Sequence, residues 1–373
     1  MSARTPSLSA GRREIARVDR AIGAAVARRL RLAREVAGMK ATVGLPLRDY
    51  GVEADVIQRW VSRLGAHGVE PAHGEAFARW LIEESIRAQE PIRHPPRPRR
   101  RHALDIAIVG GAGAMGRWLG EFLDSAGHRV FVVDPRAGRT EPLSFPSVEV
   151  ASKEADVLVF ATPIALTAPL LRTALATGTD ALMFDVLSVK APIAKILVRS
   201  ARYGRNVTSI HPMFGPSART LSGRNLLIVR CGNPAADRAA RALFEESALT
   251  LTEVPVAEHD RLMAESLGLS HAVNLLFLGA LAESRLSPRK LRRVASTTFH
   301  RQASLAGSVA HEGDELYLEI QAANPHSREV YTALEHRLRE LRRIVRRRDI
   351  RRFRRWLDQG RALLKAGPSP MRT

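Results

Sequence analysis

Three observations predict a multi-domain chain with an all-α N-terminal region, a central α/β domain and an all-α C-terminal region. Residues 8–90 carry apolar residues at helical spacing and no strand signal. From residue 104 short apolar runs alternate with helical stretches, the pattern of a parallel, doubly wound sheet. After about residue 236 the pattern turns helical and stays so. The expected division is helices over 1–92, a Pro/Arg-rich linker over 93–103, the α/β domain over 104–234 and helices over 235–373.

Composition bounds the function. A chain of 373 residues exceeds what one core usually takes. A hydrophobic share of 45% is enough for packed domains. Lys and Arg number 58 against 38 Asp and Glu, a formal charge of +20. Such a balance suits anionic ligands, and it equally describes arginine-rich solvated helix faces. The single cysteine, Cys231, excludes an intramolecular disulfide framework and a cysteine zinc site, and no metal is expected. The longest uncharged stretches, roughly 157–171 and 267–282, fall short of the ~20 residues that span a bilayer. The N-terminus lacks a secretory apolar segment, so a soluble cytoplasmic protein is expected.

In the N-terminal region Ile15, Val18, Ile22, Val26, Ala33 and Val36 form one apolar stripe. Extending that stripe lands on Arg12, Arg29 and Lys40, cations that are costly on a buried face unless an anion meets them. Arg12 and Arg29 lie roughly 25 Å apart on a straight helix, too far for one small ligand. An antiparallel second copy would bring its Arg12 beside Arg29, so an intertwined homodimer is expected. A second helix carries Val56, Ile57, Trp60 and Leu64, with Glu53 on the same stripe and Asp49 ahead of it. A third carries Phe77 and Leu81, then Ser85 and Gln89. Polar residues thus converge on apolar faces.

The linker Pro91–His102 is proline- and arginine-rich and reads as an extended tether. Beyond it the first strand, Ile106–Val109, runs into Gly111, Gly113 and Gly116 in G-x-G-x-x-G spacing, with Met115 inside the motif. Glycine is needed there because the turn is tight, the backbone must approach a pyrophosphate and the next helix must lie close to the strand. A second strand ends at Asp134, 21 residues past Gly113, where an acid can accept from a ribose hydroxyl. These features predict a Rossmann-type domain that binds NAD. Arg136 and Arg139 leave room for a 2′-phosphate.

Ligands of such sheets sit beyond the carboxyl ends of the strands. The residues there include Thr162, Ser188 and His211. An imidazole of ordinary pKa near 6.5 can take the proton of a carbinol as its hydride departs. Ser188 can hydrogen-bond the same hydroxyl.

The motifs G-G-A-G-A-M-G, D-V-L-S-V-K and H-P-M-F-G-P resemble prephenate dehydrogenase. So do E-H-D-R-L-M-A at 258–264, L-S-H at 269–271, F-H-R at 299–301 and L-Y-L-E-I-Q at 316–321. The resemblance implies that His211 polarises the substrate hydroxyl with help from Ser188. It also implies that Arg301 binds a substrate carboxylate, that His271 lines the pocket and that the C-terminal helices dimerise. His259 and Asp260 are expected to orient helices. Residues 8–90 resemble the all-helical class of chorismate mutase. That implies carboxylate and ether-oxygen contacts from Arg29, Lys40 and the partner's Arg12. Glu53 and Gln89 would stand near the ether and ring, with Asp49 and Ser85 at the hydroxyl. The family usually places R-E where this chain has Val52-Glu53, and Arg48 is the nearest replacement. Together the two resemblances imply a fused enzyme of tyrosine biosynthesis that takes chorismate and prephenate.

Two rivals remain at this level: a dehydrogenase of prephenate or arogenate whose helical domain only dimerises, and a nucleic-acid-binding protein with a silent dehydrogenase fold. Residues 337–355 read as one highly basic helix, favoured as a solvated face over a nucleic-acid arm because its aromatic content is poor.

Overall fold

The computed structural model describes residues 8–43, 45, 47–93, 103–136, 143–218, 220–284, 286–311 and 313–366. Arg139 and nearly all of the expected linker lie outside these residues. The chain forms two compact units, Met1–Leu187 with Ile193–Val256, and Ser188–Pro192 with Ala257–Thr373.

The first unit opens with three helices, α1 (Leu8–Thr42), α2 (Tyr50–Gly65) and α3 (Pro71–Arg93). Asp49 caps α2 by accepting the amides of Gly51 and Val52, both at 3.1 Å. Both α1 and α2 pack on α3. Trp60 meets Phe77 edge-on with centroids 5.0 Å apart, and the lack of a Cβ at Gly74 lets α3 approach Val61. Only the C-terminal half of α1 contributes to this core, with Ala37 fully buried, while residues 11–25 are all exposed.

The sheet follows: β1 (Asp105–Val109), α4 (Ala114–Ser125), β2 (Arg129–Val133), α5 (Val148–Glu154), β3 (Val157–Phe160), α6 (Ile164–Ala176), β4 (Leu182–Asp185), α7 (Ala191–Arg202), β5 (Val207–Pro212), β6 (Asn225–Arg230), α8 (Pro234–Ala242) and β7 (Thr250–Pro255). Strand order is β2-β1-β3-β4-β5-β6-β7. The fully buried strand runs, such as Val157–Phe160 and Leu182–Asp185, explain why these segments read as apolar throughout. Ile106, Ile108, Leu119, Leu123, Phe184, Ile228 and Phe244 centre the core. Each such side chain contributes roughly 1.5–3 kcal/mol by burial.

Two expectations are corrected. The sheet is not wholly parallel, because β6 pairs antiparallel to β5. Between them, the described residues 213–218 and 220–224 hold no helix. A parallel return needs a crossover, usually helical, so the chain turns straight back. The sheet also continues past residue 234, because β7 pairs parallel to β6. This edge strand, T-L-T-E-V-P, is largely solvent-facing and lacks an apolar run, so periodicity alone does not reveal it.

The second unit is helical: α9 (Val256–Met263), a π-helical turn (Ala264–Gly268), α10 (Leu269–Glu283), α11 (Pro288–Val294), α12 (Thr297–His311), α13 (Asp314–Ala323), α14 (Ser327–Arg347) and α15 (Ile350–Ala366). Gln321 donates to the carbonyl of Gly268 at 3.0 Å, which helps satisfy the backbone at the π turn. α10 packs on α12 and α14. The run Val256–Glu283, a third of its most apolar window buried, is long and apolar enough to cross a membrane by length and composition. The primary sequence understates it, because charges interrupt its first turns. The basic segment 337–355 is two helices rather than one. The chain breaks at Arg348, which adopts a left-handed conformation (φ 49°), and Asp349 accepts the amide of Arg352 at 3.0 Å to restart the helix.

Candidate active sites

The strand order reverses between β1 and β3, which places a crevice beyond their carboxyl ends. The turn after β1 is tight. Gly110 has φ +85°, and a Cβ there would stand 2.5 Å from the carbonyl oxygen of Ala161. At Gly111 a Cβ would meet Val132 at 2.9 Å, and at Gly116 the Gly110 carbonyl oxygen at 2.3 Å. Gly113 begins α4 with no side-chain cap, so the first amides of the helix face an open turn. Met115 is half-buried against the core, and the Thr162 hydroxyl lies 2.7 Å from that of Thr167 beside the same turn. Asp134 follows β2 directly. Its carboxylate accepts the Ala112 amide at 3.2 Å and the Arg136 amide at 2.9 Å. Burial pushes this carboxyl up, but hydrogen bonds and charge from Arg136 outweigh that and hold it below the ordinary range. Backbone without side chains, free helix amides and an acid across the turn suit a dinucleotide. The sequence pattern did not single out Gly110, whose positive φ is a property of the folded turn.

His211 does not lie past its strand, as expected from sequence, but inside it. It pairs with Leu227 because the antiparallel β6 prolongs the ladder to Pro212. The imidazole is 3% exposed. It still stands at the carboxyl end of β5, the edge that also carries the glycine turn, Asp134 and Thr162. Ser209 shares its face of the strand and is fully buried, and its hydroxyl has no partner among the described residues.

Within the second unit the Ser188 segment is clamped. The Asp260 carboxylate accepts the amides of Lys190 at 2.7 Å and Ala191 at 2.6 Å, and meets His259 Nδ1 at 2.7 Å. Burial raises the Asp260 carboxyl, yet His259 and the two amides prevail and keep it below its ordinary value. Asp260 therefore holds a loop, a more specific contact than the helix orientation expected. His271, buried on the first turn of α10, packs edge-on against Tyr317 with centroids 4.4 Å apart. Arg301 is exposed on α12, the helix that packs against α10.

In the helical region Arg29 and Ser85 meet, with Gln89 on the same helix α3, while Lys40 and Glu53 are each held by a neighbour of their own. Arg29 donates to the Leu81 carbonyl at 2.7 Å and to the Ser85 hydroxyl, and burial lowers its pKa. Ser85 donates to the same carbonyl at 2.7 Å. One turn further along α3, Gln89 is buried, and its Oε1 has no hydrogen-bond partner among the described residues. Lys40 Nζ donates to the Leu47 carbonyl at 2.8 Å. Arg48 grips Glu53 with two hydrogen bonds, at 3.0 and 2.8 Å, which places a guanidinium beside Glu53 in the absence of one at Val52. Two residues stand apart. Asp49 is exposed and serves as the helix cap described above, a role set by its place before α2. Arg12 lies on the exposed half of α1, away from the others.

Residues 11–90 match the family chorismate mutase type II. Residues 139–228 match the nucleotide-binding domain of prephenate dehydrogenase, and residues 255–359 its dimerization domain. A 4-amino-4-deoxyprephenate dehydrogenase from Streptomyces pristinaespiralis is 32% identical over 259 residues, covering 65% of this chain and 85% of that protein. The T-protein of Enterobacter agglomerans is 26% identical over 319 residues, 84% of this chain and 81% of the relative. A probable arogenate/prephenate dehydrogenase from Methanocaldococcus jannaschii is 26% identical over 258 residues, and the matched region spans 58% of that relative's length. Among solved structures, Aquifex aeolicus prephenate dehydrogenase in complex with hydroxyphenyl propionate and NAD+ shares the fold. Its TM-score is 0.58 at 15% identity, covering 70% of this chain and 97% of that one. The chain belongs to the prephenate dehydrogenase family and carries a type II chorismate mutase domain ahead of its dehydrogenase domains.

Proposed function

We propose that the chain is a cytoplasmic, homodimeric enzyme of tyrosine biosynthesis that converts chorismate to prephenate and then oxidises prephenate to 4-hydroxyphenylpyruvate. Residues 1–92 carry the first reaction. Residues 104–234, with the sheet running on to Pro255, hold NAD, and the C-terminal region to 373, with its helices from Val256 to Ala366, supplies substrate contacts and a dimer face. The observation that carries this reading is one sheet edge shared by the glycine cradle, Asp134 and a buried His211.

In the first reaction an ether C–O bond breaks as a C–C bond forms, with no covalent participation by the protein. Catalysis needs a compact substrate conformer and positive charge at the ether oxygen. Arg29 and Lys40 supply cations already oriented by α3 and the Leu47 carbonyl. Gln89 offers a buried amide whose unpartnered oxygen suits a polar ligand group. Glu53, held by Arg48, lines the ring, and Ser85 lies at the hydroxyl. Arg12 comes from the partner chain, in keeping with its exposure beside Ile15, Val18 and Ile22.

In the second reaction Gly111, Gly113, Met115, Gly116 and Thr162 cradle the dinucleotide and Asp134 accepts from its ribose. Bound NAD supplies the hydride acceptor. His211 takes the hydroxyl proton as hydride leaves the same carbon, and Ser188 hydrogen-bonds that oxygen. The ring carboxylate departs as CO₂, its bonding electrons completing the aromatic ring, and the phenolate oxygen so formed takes the proton back from His211. Arg301 binds the remaining carboxylate, which a guanidinium matches in two-point geometry, and His271 lines the pocket. Exposed Val273, Leu276 and Leu305 in the second unit support a dimer face.

The deciding assay is NADH formation from chorismate alone, which requires both reactions in order. Arg29→Ala should abolish turnover of chorismate and spare turnover of prephenate. The second reading, a helical domain that only dimerises, draws on the missing arginine at Val52. It is selected if prephenate is oxidised while chorismate stays inert.

A further inference from the structure

The segment that follows His211 is anchored to the N-terminal helices. Residues 213–224 connect β5 to β6, and the described ones, 213–218 and 220–224, hold no helix. Near one end, Phe214 packs edge-on against Trp118 of α4, 5.0 Å between centroids. Near the other, a single carboxylate oxygen of Glu90 accepts the amides of Leu221 at 2.8 Å and Ser222 at 2.7 Å. Ser222 is 6% exposed, so these amides would be costly to leave unpaired. Glu90 directly follows Gln89 on α3, so adjacent residues serve the helical site and the loop.

We propose that Glu90 is a positioning residue for the dehydrogenase reaction, holding the segment that follows His211, so that the helical domain is a structural part of the dehydrogenase site. This rests on the dehydrogenase reading above. His211 is one residue from the end of β5 and pairs with Leu227 of β6, the strand that begins three residues after the clamped Ser222. The clamp needs an acceptor rather than a charge, because both amides converge on one oxygen. A glutamine can present the same oxygen.

The test compares Glu90→Ala and Glu90→Gln in the full-length protein. Glu90→Ala should lower kcat for prephenate roughly tenfold or more, as a small misplacement of a reacting group does. KM for NAD should change less than about twofold, since the cradle sits on β1 and α4. Glu90→Gln should retain kcat within about twofold. Amide exchange at residues 221–222 should accelerate in Glu90→Ala and not in Glu90→Gln. Unchanged kcat in a folded Glu90→Ala protein overturns the proposal, as does equal impairment of both variants. The exchange measurement reads the clamp alone. If the wild-type chain fails to oxidise prephenate, the functional reading falls, while unaltered exchange in Glu90→Ala overturns the clamp itself.

Discussion

The sheet-edge site and the helical site are built in opposite ways. At the sheet edge, geometry does the work. Strand ends converge, three close glycine contacts leave backbone bare, and one carboxylate stands at the end of β2. Nearly everything there is supplied within one domain. In the helical region the proposed groups are charged side chains, and they are held by borrowed contacts: Arg29 by the Leu81 carbonyl, Lys40 by the Leu47 carbonyl, Glu53 by Arg48. Fifteen consecutive residues of α1 that include Arg12 are exposed, which is why Arg12 is proposed to come from the partner chain. A site made of backbone tolerates little substitution. The helical region places its cations through side-chain reach, as the Arg48–Glu53 pair beside Val52 shows.

That contrast can be broken in several ways. The largest effect should follow His211→Asn. Loss of the proton acceptor should cut kcat for prephenate by about 10²–10⁴-fold and leave mutase turnover within about twofold. A parallel fall in both activities would mean the sites are not separable. Next, Arg29→Ala should lower mutase kcat by about 10²–10³-fold, measured as loss of chorismate absorbance, with dehydrogenase kinetics unchanged. If the helical site spans two chains, mixing Arg12→Ala and Arg29→Ala proteins should restore about a quarter of wild-type mutase activity. Half the dimers are then mixed and each holds one intact site. No recovery after subunit exchange would assign Arg12 no part in a shared site. Gly116→Ala should raise KM for NAD at least about tenfold and cost about 1–3 kcal/mol in unfolding free energy, because its Cβ has nowhere to go. A smaller effect is expected at Asp260. Its folded pKa lies below the unfolded one, so the stability it contributes is present above about pH 4 and is lost as pH falls through the folded value. Asp260→Asn should remove that acid limb from a plot of unfolding free energy against pH.

Much of the sheet-edge site was legible in sequence. Gly111, Gly113, Gly116 and Asp134 announce themselves because a tight turn, a close phosphate approach and a ribose acceptor each demand one residue type at one spacing. Less visible were β7, which is half exposed and so lacks an apolar run, and the antiparallel return of β6, which depends on a connection too short to cross over. The helical site was legible as cations and polar residues at helical periods. The molecule's long-range holding contacts were not legible: Asp260 with the Ser188 segment and Glu90 with Ser222 join residues 69 to 70 and 132 positions apart. Asp49 illustrates a further limit: a carboxylate before a helix reads as a ligand contact or as a cap, and only the backbone conformation distinguishes them.

By itself the sequence determined that this chain alternates strands and helices around a dinucleotide turn, flanked by helices. Local spacing and glycine chemistry are encoded residue by residue. Only the tertiary structure decided that His211 is a strand residue, that Asp260 grips the loop after β4 and that α3 reaches the loop after β5. Those are contacts between segments far apart in the chain, and their free energy exists only once both segments are buried together.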